Sequence, residues 1–281
     1  NFKSCKKLFL INRIFDQEKQ NRTIEILEKK KIDYHVIPFE KSEYDKIGLD
    51  FQPFGGRQFF EDAKYRTYKD NVQTMMKLAV CRPKILYFAN NNGARNKAME
   101  LGAEHGEWIF PWDGNCTLSE SSFETIRSHC SSRPYLPIKV IPMIRQVSGQ
   151  DPYKPAILAN QHQEPQLVLH KSLQNPFNEK YAYGSRDKTE LLARIGIPGP
   201  WQSEKAHFFF PETGPEEGYK FEYETLNAYA IRLASGIDAL DQGGYQNSNR
   251  HSTRNESIFR TLCLIEGKEY EEFLSFAEKA G

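Results

Sequence analysis

Hydrophobic positions in the first third of the chain come as short apolar runs separated by longer polar stretches with helical spacing. Lys7-Leu8-Phe9-Leu10-Ile11 and Tyr34-His35-Val36-Ile37-Pro38 have the length and character of strands, the second closed by its proline. Between them, Asp16 to Lys31 is polar, with Ile24 and Leu27 at the spacing of a helix face. Residues 41–69 are polar and aromatic and predict an irregular excursion around Gly55-Gly56. A helix over Asn71–Val80 then leads to Lys84-Ile85-Leu86-Tyr87-Phe88, which reads as a third strand.

Asn90-Asn91-Asn92-Gly93 is a turn cluster by composition, and Ala94, Ala98 and Leu101 mark one face of the helix after it. Glu107-Trp108-Ile109-Phe110 predicts a strand ending at Pro111 and the turn Trp112-Asp113-Gly114-Asn115. Ser121 and Glu124 have the spacing of a capping box, and Phe123, Ile126 and Cys130 give the following helix its buried face.

The second half predicts strands over 137–144, 156–158 and 166–170, then a helix from Asp187 to Ile195 that stops at Gly196. Residues 199–227, rich in Gly, Pro and Glu, read as a long loop, followed by a strand over 229–233. Helices over 253–265 and 270–280 close the chain. Strand–helix alternation predicts an α/β fold with a mostly parallel sheet and helices on both faces. With no repeat, low-complexity tract or linker, 1–281 reads as one domain.

Charge narrows the partners. Thirty-eight basic against thirty-seven acidic residues, a net +1, provide no footprint for nucleic acid and no polybasic membrane anchor. No apolar run reaches the roughly 18 residues of a membrane span. Five scattered cysteines without a C-x-x-C pair point to a reduced, cytoplasmic setting, with a lumenal or anchored context left open because the first residue is Asn. Sequons at Asn21, Asn115 and Asn255 do not alter that expectation.

The chemistry centres on Asp113. A carboxylate at the carboxyl end of a strand stands where open α/β sheets bind ligands, and hard divalent cations take oxygen ligands. Gly114 offers close backbone approach. Alone, Asp-Gly-Asn is a common turn. Its neighbourhood adds weight: Gly93-Ala94-Arg95-Asn96-Lys97-Ala98, a helix, an apolar strand and then Asp113-Gly114-Asn115. This order resembles the central block of GT-A glycosyltransferases of the family-2-like, inverting kind.

The resemblance implies a GT-A (Rossmann-like) fold with a donor half over about 1–130 and an acceptor and catalytic half over about 131–281. It implies a hexosyl- or pentosyltransferase using a nucleotide-sugar donor, a UDP-sugar by default, and a glycan or glycoconjugate acceptor. Asp113 and Asn115 would stand as the D-x-D pair at a Mn2+ or Mg2+ site, weakened by the uncharged Asn115, with Arg95, Asn96 and Gly114 on the donor side. Asn12, Arg13 and Asp16, after the first strand, would cradle the nucleotide, although Asp16 serves equally as a helix cap.

A second segment, Phe177 to Asp187, resembles the aromatic and Gly-rich turn of inverting members, including β-1,4-galactosyltransferases, that presents an acidic pair at a helix start. It implies Asp187 as general base, with Arg186 in place of the pair's first acid and so at the acceptor. The alternative for Asp187 is helix capping, and for Arg95 a surface ion pair. Glu164 and Trp112 are further acceptor-side candidates, with core packing the alternative for Trp112 and for Trp201. His251 is a candidate late metal or phosphate contact, along with His207, Arg250 and Arg254, beside a Gly-rich stretch over 243–249. Competing classes are a sugar-phosphate nucleotidyltransferase, against which the missing Gly-rich loop after the first strand counts, and a degenerate sugar-binding module, suggested by Asn115 and Arg186.

Overall fold

The computed structural model describes residues 2, 4–146, 164–181, 183, 187–202, 221–233 and 247–269, with backbone alone for Arg145 and 247–253. The chain opens with β1 (Leu8–Asn12), α1 (Gln17–Lys29) and β2 (Asp33–Ile37), a parallel pair in register from Leu8 opposite Asp33 to Asn12 opposite Ile37. Asp16 caps α1 by accepting from the Lys19 amide, and Leu27 is its buried anchor.

The excursion over 41–69 is less irregular than its composition implies. It contains α2 (Lys41–Asp45), two single 3-10 turns (Gln52–Phe54 and Arg57–Phe60) and α3 (Ala63–Arg66). These short pieces fold around Phe60 and Tyr65, against which α4 (Asp70–Val80) packs Met76 and Val80. The aromatic burial substitutes for the regular backbone that so short a helix cannot sustain alone.

Residues 84–88 correct a sequence expectation. They lie in a helix, α5 (Arg82–Phe88), with Pro83 in its first turn. A run of four apolar residues, Ile85–Phe88, fits a strand or a buried helix equally, and the proline before it favours the helix. Packing decides it: Ile85 joins Leu78 and Cys81 against Ile258, Phe259 and Leu262 of the late helix α9 (Asn247–Glu266). The asparagine cluster is likewise a helix start. Asn90 caps α6 (Asn91–Ala103), its Oδ1 accepting from the Gly93 amide at 2.7 Å.

The remaining described elements are β3 (Trp108–Ile109), β4 (Cys116–Leu118), α7 (Glu120–Ser132), β5 (Ile138–Ile141), β6 (Met143–Arg145), β7 (Gln166–His170), α8 (Asp187–Arg194), β8 (Tyr223–Thr225) and β9 (Ala230–Arg232). Ser119, not Ser121, caps α7. The single strand expected over 137–144 is two, divided at Pro142, and each half joins a different sheet. β8 lies inside the stretch read as a loop. The strand at 156–158 and the helix at 270–280 fall outside the described residues.

The sheets are mixed, which corrects the mostly parallel expectation. One runs β3-β7-β5-β8, antiparallel at β3/β7 and β5/β7 and parallel at β5/β8. Another runs β4-β9-β6, antiparallel at β4/β9 and parallel at β6/β9. Hydrophobic period identifies strands but carries no direction, so chain reversals between β5, β7 and β3 were invisible to it.

The four-stranded sheet is buried on both faces, because alternate residues of β7 feed two clusters. Leu167 and Leu169 meet Met99 of α6 and Leu191 and Leu192 of α8, while Val168 meets Phe123 and Ile126 of α7. Helices therefore cover both faces, as the alternation implies. At the α6–β3 contact Gly102 leaves no room: a Cβ there would lie 2.6 Å from Ile109 Cγ1. Gly102→Ala is expected to lower stability by about 1–3 kcal/mol through overpacking, despite alanine's better helix propensity. Urea midpoints of Gly102→Ala, Ile109→Ala and the double variant check this: if crowding is the cause, adding Gly102→Ala to Ile109→Ala costs little further stability.

Candidate functional site

The amino-terminal half of α6 organises the site. Asn12, at the end of β1, donates from Nδ2 to the carbonyl of the helix cap Asn90 at 3.2 Å, tying the first strand to the helix start. Two residues on, Asn92 is fully buried and donates to the Asn178 carbonyl at 2.7 Å and the Asp187 carbonyl at 2.9 Å. One turn further, Asn96 donates to the Phe177 carbonyl and to Glu179 Oε1, both at 2.9 Å, and accepts from the Phe177 amide. Asn92 and Asn96 of α6 thus hold the segment leading into α8, and the cap Asn90 adds a bond from its Nδ2 to Glu179 Oε2 at 3.3 Å.

Arg95, between them, makes the central contact. Its Nη1 donates to Asn92 Oδ1 at 2.9 Å and Asp187 Oδ2 at 3.3 Å, and its Nη2 donates to Asp113 Oδ1 at 3.1 Å. The guanidinium side chain is 10% exposed, against 32% for Asp113 and 20% for Asp187. The fixed fork of arginine suits this three-way contact, which a point charge could not make. Burial works against the arginine's charge, but Asp187 and Asp113 outweigh it, so its proton is held more tightly than usual.

Asp113 itself is held below its ordinary value. Burial would raise it, but the charges of Lys188 and Arg95, the Arg95 hydrogen bond and the charge of Arg232 together prevail. Lys188, next to Asp187 and almost wholly buried, pairs with Glu164 at 2.9 Å. Arg232 stands directly opposite Cys116 in the β4–β9 ladder, which places the two side chains on one face. Burial drives the Cys116 thiol up to about 11, further raised by Asp113 and opposed by Lys188 and Arg232. Six charged groups therefore meet here: Asp113, Asp187 and Glu164 with Arg95, Lys188 and Arg232.

The expected site residues divide on this geometry. Arg95, Asp113, Glu164 and Asp187 come together. Asn96 does not face a ligand; it is 5% exposed and its amide serves Phe177 and Glu179. Asp16 is the cap of α1 and pairs with Lys19 at 2.9 Å. Arg13 adopts a left-handed φ of 47° and lays its guanidinium 4.7 Å from the centre of the Tyr87 ring. Trp112 donates from Nε1 to the Leu167 carbonyl at 2.7 Å and packs on Phe110, so its ring belongs largely to the core beside β7. Trp201 is also core, 3% exposed. Gly114 adopts no left-handed φ, and the space where a side chain would stand is open. Its backbone freedom is not what the turn needs. Arg186 and His207, and the side chains of Arg250 and His251, lie outside the described residues, although residues 247–251 begin α9 rather than continue a loop. Arg254 lies over Tyr183, 5.3 Å from the ring centre.

No family model, curated protein or solved structure matches the chain.

A divalent cation needs several oxygen ligands, with carboxylates supplying the compensating charge. Asp113 already shares an oxygen with Arg95, and the next candidate, Asn115, is a neutral amide whose backbone carbonyl accepts from Leu233 at 2.8 Å. With three cations acting on Asp113, and with Asp187 and Glu164 already paired to Arg95 and Lys188, the described residues do not fit such an ion. Sequence reasoning missed Asn92, Lys188 and Arg232. Asn92 lay in a run read as a turn, Lys188 sat unweighed beside Asp187, and Arg232 carries no local signal because only the β4–β9 register brings it to Cys116. Among the described residues, no helix is long and apolar enough to cross a membrane.

Proposed function

We propose that the chain is an inverting glycosyltransferase that moves a sugar from a nucleoside-diphosphate donor to a hydroxyl acceptor, with Asp187 as general base. The carrying observation is the Arg95 guanidinium, bonded at once to Asp113 and Asp187. Those two carboxylates were assigned to the donor and to the base from separate stretches of sequence.

In one displacement the acceptor oxygen bonds to the anomeric carbon as its proton passes to Asp187. The bond from that carbon to the β-phosphate oxygen breaks, and its electron pair leaves with the diphosphate. Arg95 holds one oxygen of Asp187, and the 20% exposure of that side chain gives an acceptor access to it. The diphosphate gains charge on departure, and fixed cations near Asp113 favour that change. A UDP-sugar is the donor of first choice.

Asp187→Asn keeps the size of the side chain and an oxygen for Arg95 but removes the base. It is expected to lower kcat of transfer by about 10^2–10^4-fold with donor affinity retained. A panel of UDP-, GDP- and CMP-sugars with mixed acceptors, with donor binding followed by thermal shift, checks both parts. Full turnover in the variant would remove Asp187 from the mechanism. Donor binding by the unaltered chain without transfer or hydrolysis across the panel would identify a sugar-binding module instead.

A further inference from the structure

The charges around Asp113 bear on how the diphosphate is held, and they rest on the transferase reading only for the ligand's name. Arg95 is committed to Asp113, Asp187 and Asn92, and Lys188 is committed to Glu164. Arg232 is different. Its backbone is fixed by the ladder to Cys116 and by the Gln146 amide, which donates to its carbonyl at 2.9 Å. Its guanidinium makes no hydrogen bond or ion pair among the described residues, although the residue is half-buried.

At the end of the same strand the Leu233 amide donates to the Asn115 carbonyl at 2.8 Å. Arg232 therefore stands on the strand that braces the Asp113–Asn115 turn. The open space beside Gly114 leaves the turn accessible.

Charge points the same way: Arg95 and Lys188 are each paired with carboxylates, which leaves Arg232 as the cation of this cluster without an ion pair among the described residues.

We infer that Arg232 binds the diphosphate directly, with Lys188 supporting the local positive potential, so that the donor is held without a divalent metal. A planar guanidinium can meet two phosphate oxygens at once, and it is charged at every working pH, so it stabilises the leaving diphosphate as a fixed cation.

The test is calorimetric titration of the full chain with inorganic pyrophosphate and with UDP, in chelator and again with manganese. Both ligands are expected to bind in chelator, with manganese changing affinity by less than about threefold. Arg232→Gln is expected to weaken both by about tenfold or more, through the loss of one charge-assisted contact to phosphate. Arg232→Lys should recover part of the loss, and unchanged thermal melting of both variants would show that the strand is intact. Binding that appears only with manganese, or that Arg232→Gln leaves unaltered, overturns the inference, as does the absence of binding under either condition. Transfer assays run in parallel separate the two claims. Manganese-dependent transfer would leave the glycosyltransferase reading standing and sink this one, whereas metal-free pyrophosphate binding without any transfer would do the reverse.

Discussion

Replacing Arg95 by alanine is expected to lower stability by about 3 kcal/mol and to abolish transfer. The substitution leaves Asp113 and Asp187 facing each other with their shared cation gone, and breaking a buried ion pair on one side costs about 3–5 kcal/mol. The lower end applies because Asp113 keeps about a third of its side-chain surface in water. Arg95→Lys should recover some stability but little activity, since one ammonium cannot reach Asn92, Asp187 and Asp113 in the fork's geometry.

The effect has a pH signature with a definite sign. Asp113 titrates below its ordinary value of 3.8 in the folded chain. A carboxyl whose folded pKa is depressed contributes stability above its unfolded pKa and loses it as pH falls through the folded one. The gap between the unaltered chain and Arg95→Ala should therefore be full at neutral pH and narrow once pH drops below 3.8. Urea unfolding over that range measures it. A gap that stayed constant into acid would show that the lost packing of the arginine stem, not its charge, carries the effect.

The second large effect concerns a buried charge away from the site. Lys139 on β5 is wholly buried and donates to Glu224 Oε2 at 3.0 Å and to the Arg133 carbonyl at 2.9 Å. Glu224 lies opposite it on β8 and also accepts from Arg133, with His129 at 3.0 Å. Glu224→Gln would leave that ammonium without a counter-charge, at an expected loss of about 3 kcal/mol. The double variant Lys139→Met/Glu224→Leu removes both charges together and is expected to restore most of it, because an apolar pair of similar volume pays no desolvation cost. Thermal melts of the single and double variants check this; a double variant as unstable as the single would mean that the hydrogen bonds to Arg133 and His129 matter more than the buried charge.

Glu224 also titrates below its ordinary value of 4.5, since Lys139 and His129 outweigh the upward push of burial. By the same linkage its contribution is present above that value and is lost on acidification through the folded pKa. Acid should accordingly loosen the β5–β8 pairing and the Asp113 cluster over neighbouring pH ranges.

Much of this protein was legible from pattern alone. The β1–α1–β2 unit, the helix from Asp70 to Val80, the buried face of α7 and the start of α8 at Asp187 follow from local spacing and capping. Asp113 stands out locally as a carboxylate after an apolar strand and Glu164 as the polar start of one, whereas Arg95 and Asp187 are singled out only by resemblance to glycosyltransferase segments. What the chain could not reveal locally is which of those groups meet. Arg95 and Asp187 are 92 positions apart, and Arg95 and Asp113 are 18 apart. Their contact depends on Asn92 and Asn96 of α6 and its cap Asn90 seizing the Phe177–Glu179 segment, a set of hydrogen bonds that no periodicity encodes.

The same limit explains the errors. Residues 84–88 became a helix because the face offered by α4 and α9 rewards helical packing of Ile85, and four apolar residues alone do not choose. Strand direction was lost for a similar reason, since period two is identical in parallel and antiparallel ladders. Arg232 is the clearest case. As a residue it is one arginine at a strand end; the antiparallel register of β9 on β4 is what brings it opposite Cys116 and beside Asp113. The sequence determined which side chains were available for chemistry, because residue type and local spacing are written in it. Tertiary structure decided which of them share one low-dielectric site, because that depends on long-range packing whose energy is spread over the whole core.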